Sequence, residues 1–146
     1  MAIHNFLRKK FQKYIPQNEQ ILATIYCDCP YTGRSQRVCV TEKRMALLER
    51  RGALSWNYVS GEFSKIRNVE LKQGVFYSKI IVYFRDGSQP ILSNVNKNDA
   101  RDFVAILQSC IEQDNELLSQ RTKVCPECDE IVKLRANRCK HCGYVF

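Results

Sequence analysis

The sequence predicts a mainly β fold: about seven antiparallel strands capped by one C-terminal helix, with a short amphipathic helix in front and a small cysteine-rich tail behind. Three observations carry this. From Gln20 to about Leu92 apolar residues recur at every second position, the period of half-buried strands. On either side the period changes to the three-and-four spacing of a helix face. And four of the eight cysteines crowd into the closing stretch CPECDEIVKLRANRCKHCGYVF. The resulting division is an N-terminal helix over 1–16, a β domain with its closing helix over 17–118, a polar linker over 119–123 and the tail over 124–146.

The first element rests on Ile3, Phe6, Leu7, Phe11, Tyr14 and Ile15, which form an apolar stripe. Arg8, Lys9, Lys10 and Lys13 occupy most of the remaining wheel, and Pro16 stops the helix at about the residue before it. A helix this short needs a surface to pack on. The strands follow as EQILATIYC, QRVCVT, RMALLE, ALSWNYV, KIRNVELK, VFYSKIIVYF and QPILSNV, punctuated by Arg51–Gly52, Gln73–Gly74 and Asp86–Gly87. Asp-Gly is the clearest hairpin signal among them. No strand is followed by a long helical crossover, so the sheet is expected to be antiparallel throughout. Trp56, alternating with Leu54 and Tyr58, is expected to face the core. Asn98 is a candidate N-cap for the closing helix, whose face is Phe103, Ile106, Leu107, Cys110 and Ile111, with Leu117 and Leu118 as an extension.

The chain has 146 residues and a net charge of +8, from 23 basic and 15 acidic side chains, which favours anionic partners without naming one. The charge is uneven: residues 1–15 hold four bases and no acid, whereas 98–123 hold five acids and three bases. No continuous basic run marks a nucleic-acid binder. No apolar run is long enough to span a membrane, and MAIHNFLRKKFQKYI lacks the apolar core of a signal peptide. A cytoplasmic setting, in which cysteines are thiols or metal ligands rather than disulfides, is the expectation.

Cys125, Cys128, Cys139 and Cys142 form two Cys-x-x-Cys pairs separated by ten residues. A two-residue gap lets the chain curl so that both thiolates face one ion, and two such turns make a tetrahedral four-thiolate site suited to one structural zinc. Four thiolates close the shell, which leaves no open position for catalysis. His141 is then an exposed contact residue. Cys27, Cys29 and Cys39 could meet across the first hairpin, with Cys110 as a fourth ligand, in a second metal site or a redox pair. The simpler alternative is that they are small buried apolar residues.

Two resemblances follow from these residues. KVCPECDEIVKLRANRCKHCGYVF resembles the short zinc-ribbon modules that end many bacterial proteins, with Ala136, Gly143 and Tyr144 at their usual places. That likeness implies an accessory contact module without chemistry. IPQNEQILA, VCVTEKRMALLE, FSKIRNVELKQG, the Asp-Gly hairpin and NKNDARDFVAIL resemble a bacterial pleckstrin-homology-like domain, with Glu19 ahead of the first strand and Val40, Thr41 and Arg44 at the second turn. This implies two near-orthogonal sheets forming a partly open barrel capped by the helix. Eukaryotic relatives that bind inositol phosphates carry an Arg-x-Arg cluster in the first hairpin. Here CDCPYTGRSQRVC has Arg34 and Arg37 without that spacing.

No nucleophile–base motif, P-loop or zinc-protease helix occurs, and Asp99 and Asp102 are explained by their place at a helix start. The expectation is therefore no enzyme and no small-molecule substrate. Instead the sequence predicts an interaction or scaffolding module for a protein partner, which could be a second copy of itself, with Lys133, Arg135, Arg138, Lys140 and His141 as contact residues. One alternative is nucleic-acid binding through the basic tail. Another is attachment to an anionic membrane through the N-terminal helix and first hairpin, with packing of that helix on protein preferred.

Overall fold

The computed structural model describes residues 2–52 and 55–146, with side chains from Phe6 onward. The expected core places of Ile3 and Leu54, and the side chain of His4, lie outside the described residues. The chain divides into two compact units, residues 1–111 and 112–146.

In the first unit, α1 (Ala2–Phe11) precedes seven strands: β1 (Ile21–Asp28), β2 (Ser35–Thr41), β3 (Arg44–Arg50), β4 (Trp56–Glu62), β5 (Ile66–Gln73), β6 (Tyr77–Phe84) and β7 (Ile91–Asn96). Every pairing is antiparallel, in the order β4-β3-β2-β1-β7-β6-β5. β1 and β7 meet at one pair, Asp28↔Ser93, so a four-stranded and a three-stranded sheet join at a corner and leave the barrel partly open. The helix α2 (Lys97–Arg121) follows.

Alternation decides which side chain goes where. Val38 and Val40 of β2 point into the main core, with Ile25, Cys27, Met45, Ile80, Val82 and Leu92. Ala100, Phe103, Val104, Leu107 and Cys110 of α2 close that core at helical spacing. The opposite face of β2 and β3 carries Cys39, Ala46 and Leu48, which form a second core with Phe11 and Ile15. Leu7 is buried on the same helix, while Phe6 and Tyr14 are exposed. The apolar stripe of α1 is thus spent on its own protein. Trp56 and Tyr58 pack partly buried on this outer core rather than inside the barrel.

Three element boundaries differ from expectation. α1 ends at Phe11, and the chain turns tightly through Tyr14 and Ile15, whose N–H groups both donate to Phe11 O. The cap of α2 is Asn96, whose Oδ1 accepts from Asn98 N at 3.0 Å, so the helix starts one residue before Asn98. And α2 runs through the expected linker to Arg121. Gln120 and Arg121 favour helix there, and the Ser119 and Thr122 hydroxyls donate to Glu116 O and Leu118 O at 2.7 and 2.8 Å. β8 (Thr122–Val124) then pairs antiparallel with β9 (Ile131–Lys133). Leu117 and Leu118 do not extend the buried face of the helix; both are exposed.

Candidate metal centre

β8 leads into the first Cys-x-x-Cys turn, β9 leaves it, and the second turn follows. The two turns share one hydrogen-bond plan. Cys125 N donates to Glu130 O and Asp129 N to Cys125 O, each at 2.9 Å. Cys139 N donates to Tyr144 O at 2.7 Å and Gly143 N to Cys139 O at 3.0 Å. The residue after each second cysteine has positive φ: Asp129 at 54° and Gly143 at 80°. Glycine adopts that conformation freely, and aspartate is among the few other residues that tolerate it. Gly143 was legible in the sequence; Asp129 was not, because an aspartate can serve many purposes.

The four sulfurs lie within 4.8 Å of one another. Cys125 Sγ is 3.6 Å from Cys142 Sγ, and Cys128 Sγ is 3.7 Å from Cys139 Sγ. A tetrahedron with metal–sulfur bonds of about 2.3 Å has edges of about 3.8 Å. The set therefore has the dimensions of a four-thiolate metal site, and the cluster can coordinate one ion. Backbone N–H groups of Cys142 and His141 hold the Cys139 thiol down at about 6; His141 N lies 3.4 Å from its sulfur. Cys125 and Cys139 are buried with Val132, and Cys128 and Ala136 pack against them.

Of the expected contact residues, Lys133, Arg138 and Lys140 surround one hollow of about 390 Å³ floored by Ile131, Val132 and Ala136. Arg135 is exposed but does not line it. The His141 side chain is 42% exposed, with Nε2 3.9 Å from Glu130 Oε2.

The other cysteines do not meet. Cys27 is in the barrel core, Cys39 is under α1 on the opposite face of the sheet, and Cys110 is on the buried face of α2. The alternation of strand faces separates Cys27 from Cys39, so a second metal site across the first hairpin is not formed; among the described residues only the tail cysteines cluster. Cys29 sits in the β1–β2 turn. There Cys29 N donates to Arg34 O at 2.9 Å and Gly33 N to Cys29 O at 2.8 Å, the same plan as the tail turns with Thr32 in the second cysteine's place.

The resemblance motif of the β domain resolves into one network. Buried Glu19 accepts from Thr41 Oγ1 and from Arg44 Nε, the latter at 3.0 Å. Thr41 Oγ1 also accepts from Arg44 N at 3.0 Å and Lys43 N at 3.2 Å. The segment entering β1 is thereby tied to the β2–β3 turn.

Residues 15–109 match the family described as bacterial PH domain. This chain belongs to that family. Residues 123–146 match a family described as uncharacterised protein family UPF0547. Among solved structures, the chain is similar to the C-terminal domain of an unknown protein from Leishmania infantum, at 15% identity over 73% of this chain and 96% of that one, with a TM-score of 0.53. It is also similar to the hSac2 domain from human phosphoinositide phosphatase Sac2, at 11% identity over 75% and 80%, with a TM-score of 0.55. A pleckstrin homology domain from Shewanella amazonensis SB2B matches at 15% identity over 73% and 94%, with a TM-score of 0.48. No curated protein matches. At these identities the two likenesses with TM-scores above 0.5 speak to the fold alone. The PH-like fold is a non-catalytic interaction fold, and no helix among the described residues is long and apolar enough to cross a membrane.

Proposed function

We propose that this bacterial PH domain protein is a non-catalytic scaffolding module that binds a protein partner, and that its tail is a zinc ribbon held by one structural ion on Cys125, Cys128, Cys139 and Cys142. The observation that carries the interaction reading is the β5–β6 hairpin tip. Val75, Phe76 and Tyr77 are consecutive, apolar, and 82%, 78% and 60% exposed. Such a run costs solubility and is retained where something covers it. The tip is held firmly: Gly74 N donates to Tyr77 O at 3.0 Å. The terminal strands β4 and β5 of the seven-stranded order offer unpaired edges, which supports self-association as one form of the partnership.

The test is a Val75→Ser/Phe76→Ser variant. It is expected to keep the wild-type melting temperature and to lose whichever partner, or second copy, the wild type retains in pull-down and sedimentation. Identical pull-down and sedimentation profiles for both proteins would remove this reading. For the ribbon, elemental analysis of reduced protein is expected to give one zinc per chain.

A second reading, nucleic-acid binding by the tail, is favoured by the grouping of Lys133, Arg138 and Lys140, and by the Tyr144–Phe146 edge contact with Lys123 Nζ 3.5 Å from the Phe146 ring. Affinity for mixed-sequence DNA or RNA that falls steeply with salt would favour it.

A further inference from the structure

The outer face of the first sheet carries a pocket that neither family match assigns. It lies between the end of α1 and strands β2 to β4, has a volume of about 450 Å³, and is lined by Lys10, Lys13, Tyr14, Arg37, Leu48, Arg50 and Trp56. Strand register builds it. Arg37 pairs with Leu48, Leu48 with Tyr58, and Arg50 with Trp56, so all of these project to the α1 side. The Tyr14 ring stacks on Tyr58 at 5.2 Å and nearly parallel, which pins the chain after α1 over this face.

Four of the seven lining residues are cations, and none is an acid. Among the described residues, no salt bridge engages Lys10, Lys13, Arg37 or Arg50. Arg50 Nε bonds only the Gly52 carbonyl, at 3.1 Å. Arg37 is the least comfortable of the four. Its guanidinium lies 4.2 Å from the centre of the Trp56 ring and 5.4 Å from that of Phe6. Its Nε and Nη1 are buried without a hydrogen-bond partner. Burial moves its pKa below the ordinary value, with Tyr26 opposing the shift and the like charge of Arg50 adding to it. Arg37 is half-buried as a whole, and guanidinium nitrogens buried without a partner beside a like charge are costly unless an anion completes them. Ordinary surface lysines and arginines separate into solvent; here the sheet and α1 hold them around a concavity.

We infer that this outer pocket binds a phosphate-bearing anion, with Lys10, Lys13, Arg37 and Arg50 supplying the compensating charge and Trp56 forming one wall. Phosphate fits better than a monocarboxylate because more than one charge is there to be balanced and arginine favours its geometry. The phosphate can come from a free metabolite or from a lipid headgroup. Arg50 also borders a neighbouring hollow at the hairpin end of the barrel, lined otherwise by Gly33, Arg34, Ser35, Arg51 and Gly52, so variants at Arg34 and Arg51 tell the two apart.

Trp56 is the only tryptophan in the chain, so its emission reports the pocket directly. The full chain is titrated with inorganic pyrophosphate at low and high salt, and binding is checked by calorimetry. A saturable emission change that weakens with salt is expected. Arg37→Gln is expected to weaken binding by about tenfold or more. Because Arg37 packs on Trp56, Lys10→Gln/Lys13→Gln serves as the variant on exposed residues; it is expected to keep the melting temperature and weaken binding several-fold. Arg34→Gln/Arg51→Gln is expected to bind as the wild type does. Vesicles of phosphatidylcholine doped with phosphatidate distinguish the source: a matching Trp56 response assigns a lipid headgroup, and silence beside a pyrophosphate response assigns a free phosphate. No emission change and no heat with pyrophosphate or vesicles would overturn the inference. So would binding that the Lys10/Lys13 variant leaves intact, or that the Arg34/Arg51 variant abolishes.

Discussion

Glu19 is buried ahead of the first strand, and its carboxylate survives there because Thr41 and Arg44 donate to it. Arg44 stays about one-third exposed and can rehydrate when its partner is removed. The Thr41 hydroxyl cannot, being fully buried, and keeps only the Arg44 carbonyl, at 3.1 Å, as an acceptor. Glu19→Ala is therefore expected to cost about 1–3 kcal/mol, nearer a buried hydrogen-bond loss than a stranded buried ion pair. The check is a lower denaturant midpoint at unchanged slope. The sequence displays Glu19, Thr41 and Arg44 as separate marks; their convergence depends on how the chain enters β1, which no local pattern encodes. The cysteines give a second prediction at this scale. Burial pushes Cys39 up to about 12 and moves Cys27 further in the same direction. Burial also raises Cys29, but hydrogen bonds from the Thr32 side chain and the N–H groups of Tyr31 and Thr32 outweigh it and leave that thiol below its ordinary value. The thiolate is the reactive form, so as pH rises Cys29 ionises before Cys27 and Cys39. In metal-loaded protein, mass-spectrometric mapping of limited alkylation should find Cys29 labelled first, with Cys27 and Cys39 modified only after unfolding.

The strands were legible because each hairpin is announced by its turn residues and each face by alternation. The Asp86–Gly87 turn closes with Gly87 at φ 86° and its N–H donating to Phe84 O at 3.2 Å. The Gln73–Gly74 turn needs glycine for another reason: a Cβ at Gly74 would stand 2.4 Å from the Tyr77 carbonyl oxygen, which the backbone would have to relieve. Gly74→Ala should destabilise by about 1–3 kcal/mol, the cost of forcing atoms into a packed site. It should also disturb the Val75–Tyr77 tip without touching it, seen as shifted amide resonances there. Helix ends were less legible, because Asn96 and Asn98 are equally good caps on paper and only the backbone position distinguishes them. The destination of α1 was legible in kind. A stripe of Leu7, Phe11 and Ile15 must cover something, and the outer face of β2 and β3 supplies Cys39, Ala46 and Leu48. Phe11 is fully buried there, so Phe11→Ala should cost about 3–5 kcal/mol and lower the melting temperature markedly. The outer pocket escaped the sequence because its cations come from α1, the turn after it, β2 and β3, and only strand register and the packing of α1 bring them together.

At the scale of the whole chain, two units fold around cores of different kinds. Residues 1–111 enclose two apolar clusters built from strands and helices. In the tail the buried cluster is Cys125, Val132 and Cys139, with Cys128 and Ala136 against it, so three of its five members are candidate metal ligands. The cysteine spacing made that centre readable because two turns of fixed geometry leave the sulfurs few arrangements. The role of Asp129 in shaping the first turn was invisible. A short two-stranded ribbon with one valine at its centre cannot offset its conformational entropy by apolar burial alone. An ion on the four thiolates would supply the difference, and its binding would be folding free energy because no preformed site exists in the open chain. Cysteines ligate as thiolates, so such stabilisation would be present at neutral pH and lost as acid protonates the sulfurs and releases the ion. Chelation, or acidification below the point of metal release, should therefore unfold the tail while the first unit stays folded. Amide exchange is the measurement. Asp129, Cys139 and Gly143 donate the hydrogen bonds that define the two turns, and their protection should vanish with the metal. Amides of Val38, Val82 and Leu107, which belong to the main core, should keep theirs. Restoring zinc should restore the first set; tail protection unchanged in metal-free protein would mean that packing, not the ion, holds the ribbon.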